Sequence, residues 1–291
     1  VPLYFLSELA SKDVTVVLSG EGADEIFGGY EWYKPSAKME KYEKIPMGIR
    51  KALASIAGAL PKNTYTNFLK KGAQTIEERF IGEAVVWDEQ DALDVLKPDY
   101  KKGPSVHDIT KPVYAEVPNE DDVTKMQYID LNLWLPGDIL LKADKMTMAH
   151  SLELRVPFLD KKVFEVASGI PTNLKTAHGT TKYILRKAAE GIIPDHVLNR
   201  KKLGFPVPIR HWLKNEMYDW AVTIIKESQT DHLLDKQVIM NLFNNHVTGK
   251  ADNSRKLWTV LVFMIWYSVY VEEKYPFQAL AEKDMISDPI Y

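Results

Sequence analysis

Val14-Thr-Val-Val-Leu-Ser-Gly-Glu-Gly-Ala-Asp-Glu25 runs from a β-favouring segment straight into a glycine-rich, acidic loop. Residues 14–18 have the pattern of a fully buried parallel strand. Upstream, residues 2–11 read as one short amphipathic helix, with Leu3, Leu6, Leu9 and Ala10 at helical spacing. Helix, strand, loop and a following helix make half of an α/β unit. After residue 30 convincing strands nearly vanish, and helical periods are broken by Pro or Gly. The spacing predicts helices over 138–152, 180–190, 209–227, 236–247 and 254–274. The expected organisation is an α/β sheet remnant over 1–30 attached to a helical body over 31–291.

Composition sets bounds on what such a body can be. The chain has 291 residues, 45% hydrophobic, enough for a real core. Lys and Arg number 37 against 40 Asp and Glu, a net charge of -3 that argues against a nucleic-acid surface. With no cysteine, disulfides and thiolate zinc sites are excluded, and a cytoplasmic location fits. The longest charge-free apolar stretch, 257–271, is shorter than the ~20 residues a membrane-spanning helix needs. It reads as a buried core helix, so no membrane partner is expected. The chain opens at Val1, which reads as a truncation.

Three segments carry candidate chemistry. In an open α/β sheet, ligands bind beyond the carboxyl ends of the strands, where the 19–25 loop sits. Gly20 and Gly22 allow close backbone approach, and Glu21, Asp24 and Glu25 supply three carboxylates within five residues. In an ATP site those carboxylates suit a magnesium ion and a general base. They equally suit capping of the next helix, because Asp24 and Glu25 lie near its N-terminus.

The second segment spans 135–160. Asp138, Lys142 and Lys145 fall on one face of a helix starting near Pro136, and Asp138 with Lys142 reads as a surface ion pair. Glu153 and Arg155 are two apart in an extended stretch ending at Pro157, so they point the same way. A buried structural ion pair accounts for them better than a substrate clamp. In the third segment, Thr180 or Thr181 is a fair N-cap that places Lys182 in the first helical turn. A cation there opposes the helix dipole unless an anion is near, so Lys182 suggests a phosphate contact, with Arg186 one turn on. A solvent-exposed lysine is the alternative. The basic run Arg200-Lys-Lys-Leu-Gly-Phe205 is either a second polyanion contact or a solvated loop.

Together these segments resemble the synthetase domain of glutamine-hydrolysing asparagine synthetases. The matching words are Ser-Gly-Glu-Gly-Ala-Asp-Glu at 19–25, Ser-Leu-Glu-Leu-Arg-Val-Pro-Phe-Leu-Asp at 151–160, Lys-Tyr-Ile-Leu-Arg at 182–186, and the Gly-Phe run ending at Phe205. They stand in the family's order over about two thirds of the chain. The resemblance implies an α/β fold of the adenine-nucleotide α-hydrolase (ATP-pyrophosphatase) type, this portion being predominantly helical. It implies adenylation of the aspartate side-chain carboxylate by ATP with Mg2+, then attack by ammonia released from glutamine. By motif position, Glu21 would help deprotonate the attacking ammonia or the tetrahedral adduct. Asp24 would bind the magnesium on the pyrophosphate, and Lys182 would offset charge on the leaving group. Ser19, Gly20 and Gly22 would line the adenylate pocket.

The chain also departs from the family pattern. The ATP-holding Ser-Gly-Gly-x-Asp-Ser loop is not found in it, nor is the cysteine nucleophile of a glutaminase domain. Asp24 would normally share its metal with an Asp of that loop, and one carboxylate alone should bind magnesium poorly. The chain on its own is therefore expected to be inactive and to bind ATP feebly. Two other readings stay open: a paralogue amidating another carboxylate, and a helical interaction module without catalysis. Exposed apolar surface is expected where further sheet strands would pack, which favours a homodimer or poor solubility.

Overall fold

Helix α1 (Pro2–Ala10) leads into strand β1 (Val16–Leu18), which pairs in parallel with β2 (Glu153–Arg155). The register sets Val16 against Glu153, Val17 against Leu154 and Leu18 against Arg155. The computed structural model describes residues 2–34, 36–61, 63–83, 85–200, 204 and 207–274. They fall into two compact units, one from residues 1–84 and 106–205, the other from 85–105 and 206–291. Among the described residues the two strands are the whole sheet and the other elements are helices, a predominantly helical fold as expected, although one of the two strands comes from 153–155 and not from the first 30 residues.

Parallel pairing meets expectation, but burial of β1 does not. Val16 is 40% and Leu18 74% exposed. A parallel strand is buried only when both faces and both edges are covered. Among the described residues β1 has one neighbouring strand, and α1 packs on the helix that precedes β2. The Glu153–Arg155 pair forms at 2.7 Å, yet both side chains are more than half exposed, so it is a surface pair and not a buried one. The pair Asp138–Lys142 is likewise exposed, at 3.5 Å, as an i,i+4 helix pair should be.

β1 delivers the chain into α2 (Ala23–Phe27), whose Ile26 and Phe27 are buried against Ala167, Phe158 and Ile184. Burying each of those two side chains contributes roughly 1.5–3 kcal/mol, which anchors the loop ahead of them. Gly22 precedes α2 and Gly28 follows it, both left-handed (φ 86° and 70°), a conformation that glycine adopts without strain.

The segment predicted to start near Pro136 is already helical from Asp122. It runs as α3 (Asp122–Ile129), a π-helical stretch (Asp130–Leu140) and α4 (Leu141–Met148). Pro136 lies inside it. In an α-helix the proline ring would clash with the carbonyl four residues back; the wider π winding relieves that contact. Further on come α5 (Lys161–Ser168), the single turn α6 (Thr172–Lys175) and α7 (Tyr183–Ala188).

The second unit is built on α8 (Tyr218–Glu227), α9 (Lys236–Val247) and α10 (Ser254–Tyr270) around Phe243, Leu257, Leu261 and Met264. α9 matches its predicted range. The range 209–227 is two helices, because the chain leaves helical bonding between Ile209–Trp212 and α8. The apolar run at 257–271 is helical to Tyr270 and buries Leu257, Val260, Leu261 and Met264, but it exposes Val262, Trp266, Tyr270 and Val271, so only one face is the core helix expected; no described helix is long and apolar enough to cross a membrane.

Candidate functional site

In the first unit, a cavity of 730 Å³ opens beyond the carboxyl end of β1. Ser19, Gly20, Glu21, Asp24, Thr181, Lys182, Arg186 and Arg200 line its polar part, and Leu6, Val17 and Leu154 its apolar part. Two acids and three cations from distant parts of the sequence thus face one space. The Lys182 ammonium is 3.1 Å from Asp24 Oδ2, with both side chains about four-fifths buried.

The backbone fixes this meeting. Ser19 donates its N–H to the Arg155 carbonyl at 2.8 Å, extending the β1–β2 ladder into the loop. Gly29 N–H donates to the Asp24 carbonyl at 2.7 Å, and Lys182 N–H to the Gly28 carbonyl at 3.1 Å. The loop and the lysine are therefore tied together through both main chain and side chain.

Lys182 is not in the first turn of its helix, as predicted from Thr180 or Thr181, but is the residue capping α7, with left-handed φ 53° and ψ 35°. A non-glycine residue there is strained by roughly 1–2 kcal/mol. The bonds to Gly28 and Asp24 hold it in place. Arg186, one turn on, spends its guanidinium on main-chain carbonyls: Thr181 at 3.0 Å, Arg200 at 3.1 Å, and Leu198. It fastens the 198–200 segment to the cavity wall. Of the basic run at 200–205, Lys201, Lys202, Leu203 and Phe205 lie outside the described residues.

Gly22 and Glu25 do not line this cavity. A β-carbon on Gly22 would meet Leu159 Cδ2 at 2.2 Å, so this glycine serves packing and the turn into α2. Glu25 does not join Glu21 and Asp24. It is 2% exposed and accepts the Tyr30 hydroxyl at 2.6 Å, because one residue of helix turns it 100° from Asp24. Burial and that carboxylate hold the Tyr30 hydroxyl far above the usual phenol range.

Residue reading missed Gly29. A β-carbon there would lie 1.8 Å from Asp24 Oδ1 and 2.4 Å from Lys182 Cε, so the ion pair exists only over a glycine. The doubled Gly28-Gly29 just after the acidic loop was the available signal.

The described residues contain no group of three or more His, Cys, Asp or Glu able to hold a metal ion. Glu21 and Asp24 are hard oxygen donors on one cavity wall. That donor set suits magnesium carried in on a phosphate chain, which keeps several waters and needs one or two carboxylates, and does not suit a resident ion.

Known proteins match this chain closely. The family model described as asparagine synthase matches residues 1–268. Asparagine synthetase [glutamine-hydrolyzing] 1 of Bacillus subtilis is 54% identical over 94% of the chain and 44% of its own length. A putative asparagine synthetase [glutamine-hydrolyzing] of Mycobacterium bovis is 46% identical over 94% of the chain and 42% of its own length. Asparagine synthetase [glutamine-hydrolyzing] 3 of Bacillus subtilis is 31% identical over 82% of the chain and 34% of its own length. The chain spans less than half the length of these relatives.

Proposed function

The chain belongs to the asparagine synthase family, and on that premise we propose that it forms the C-terminal part of the synthetase domain of an ATP-dependent amide ligase. The reaction joins ammonia to the side-chain carboxylate of aspartate. The carboxylate attacks the α-phosphorus of ATP and pyrophosphate leaves. Ammonia then attacks the acyl carbon, and AMP departs with the former carboxylate oxygen. The observation that carries this reading is the approach of Lys182 to Asp24 within the cavity that Glu21 also lines.

Each residue takes a role that its position supports. Lys182 places a positive charge where the pyrophosphate gains negative charge, an interaction worth most in a partly desolvated cleft. Asp24 orients that ammonium and offers an oxygen to magnesium arriving on the phosphates. Glu21 accepts the proton shed by the attacking ammonia. Ser19 and Gly20, at the strand end, lie where the adenylate would rest against the main chain. Arg186 holds the 198–200 segment in place behind them.

The ammonia source, a glutaminase domain, belongs to the proposal. So does a cytoplasmic setting. Exposed Phe5, Leu9 and Leu18 on α1 and β1 support association through this apolar face, either with further strands or with a second copy.

The test is pyrophosphate release by a protein carrying this chain in the length of its relatives, with aspartate compared against glutamate and malonate. Aspartate-dependent release that stops in the Glu21→Gln variant is expected. Equal release with all three acids would overturn the assignment of substrate.

A further inference from the structure

Helix α2 contributes to two cavities. Asp24 lines the one described above, whereas Glu25 and Ile26 line a second, of 310 Å³, that the ligase reading leaves unused. The second cavity holds Lys175 and Gln127, apolar Leu131, Phe164 and Ile170, and exposed Glu120 and Asp121.

Lys175 is the unusual member, with 6% exposure. Its ammonium donates to Gln127 Oε1 at 3.3 Å, and among the described residues it has no carboxylate ion-pair partner. An ammonium carries three donors, and a buried charge with only a neutral partner is costly. Burial accordingly lowers the Lys175 pKa, with Asp121 the group that opposes the shift. Gln127 cannot turn away, because its Nε2 donates to the Glu25 main-chain carbonyl and so points Oε1 at the lysine.

The charges around this cavity select a ligand. A simple anion would meet Lys175 but face the carboxylates of Glu120 and of Asp121, which also caps α3. A simple cation would face the buried ammonium. A molecule carrying both signs a few ångströms apart satisfies both, and the volume lies at the small end for organic ligands. We propose that this cavity binds a small α-amino acid, its carboxylate on Lys175, its ammonium toward Glu120 and Asp121, and its side chain against Leu131, Phe164 and Ile170. The inference goes beyond the ligase reading and does not depend on it.

Calorimetric titration of the full chain with alanine, leucine, aspartate and asparagine tests it, with propionate and ethylamine as single-charge controls. Saturable binding of at least one amino acid is expected, weakened about tenfold or more in both Lys175→Met and Glu120→Gln. The same binding should persist in Lys182→Met, which separates this cavity from the ligase site. Should Lys175→Met fail to fold, the exposed Glu120→Gln variant and the propionate control decide. Absence of saturation at millimolar ligand, binding unaffected by Glu120→Gln, or propionate binding as well as alanine would each overturn the proposal.

Discussion

Gly29 lies so close to Asp24 that a single β-carbon would stand 1.8 Å from the carboxylate oxygen Oδ1. The same carbon would press on Lys182 Cε at 2.4 Å. The site's central ion pair is thus built over a missing side chain. Gly29→Ala should force the two charged groups apart, costing about 1–3 kcal/mol of stability and abolishing pyrophosphate release in the full-length protein. Urea unfolding and the release assay check it; wild-type activity in that variant would mean the pair has no catalytic part.

Lys182→Met removes the charge without crowding. Both side chains are about four-fifths buried, so taking the ammonium away from the Asp24 carboxylate should cost about 1–2 kcal/mol. Activity should fall far more, on the order of 10²–10³-fold. A variant that unfolds readily yet retains its rate would reverse this assignment.

The left-handed backbone of Lys182 gives a separate prediction. Lys182→Gly and Lys182→Ala both delete the ammonium, but only glycine adopts φ 53° freely. The glycine variant should be the more stable of the two by about 1 kcal/mol, read from urea midpoints. Equal midpoints would show the conformation to be unstrained.

Asp130 in the π-helical stretch has no solvent exposure. It accepts the Tyr33 hydroxyl at 2.5 Å and the Glu83 N–H at 3.2 Å. Burial pushes its pKa up from 3.8 to about 6, with the Tyr33 bond opposing and nearby Glu25 adding to the rise. Between those values the folded state holds a proton that the unfolded chain releases. This contribution is therefore full below 3.8 and is lost as pH rises through about 6. The stability of wild type relative to Asp130→Asn should fall by roughly 2–3 kcal/mol between pH 4 and 7.5. A pH-independent difference would contradict it.

What was legible in the sequence followed from local patterns. The strand before Ser19 and the range of α9 needed only neighbouring residues. Lys182 drew attention because a cation near a helix start is electrostatically odd, and its odd placement proved to include a capping conformation that no local rule provides. Glu25 stayed ambiguous because three acids in five residues look alike until the helix turns one inward. The exposure of Val16 and Leu18 was illegible because a run of apolar residues records what a strand is suited to pack against, not which partners are at hand. Pro136 misled for a related reason: its usual meaning is a helix boundary, and only the widened winding removes the clash behind that meaning. Gly29 carries no side chain to read, so its importance is visible only as the space it leaves to others.

The parallel partnership of Val16 with Glu153 has a consequence for biosynthesis. The first strand leaves the ribosome about 140 residues ahead of its only described partner. At 5–20 residues per second, that is a wait on the order of ten seconds. During that interval a β-prone apolar segment is available to other nascent chains. Expression at lower temperature or with co-expressed chaperones should therefore raise the soluble yield before any change to the finished molecule does.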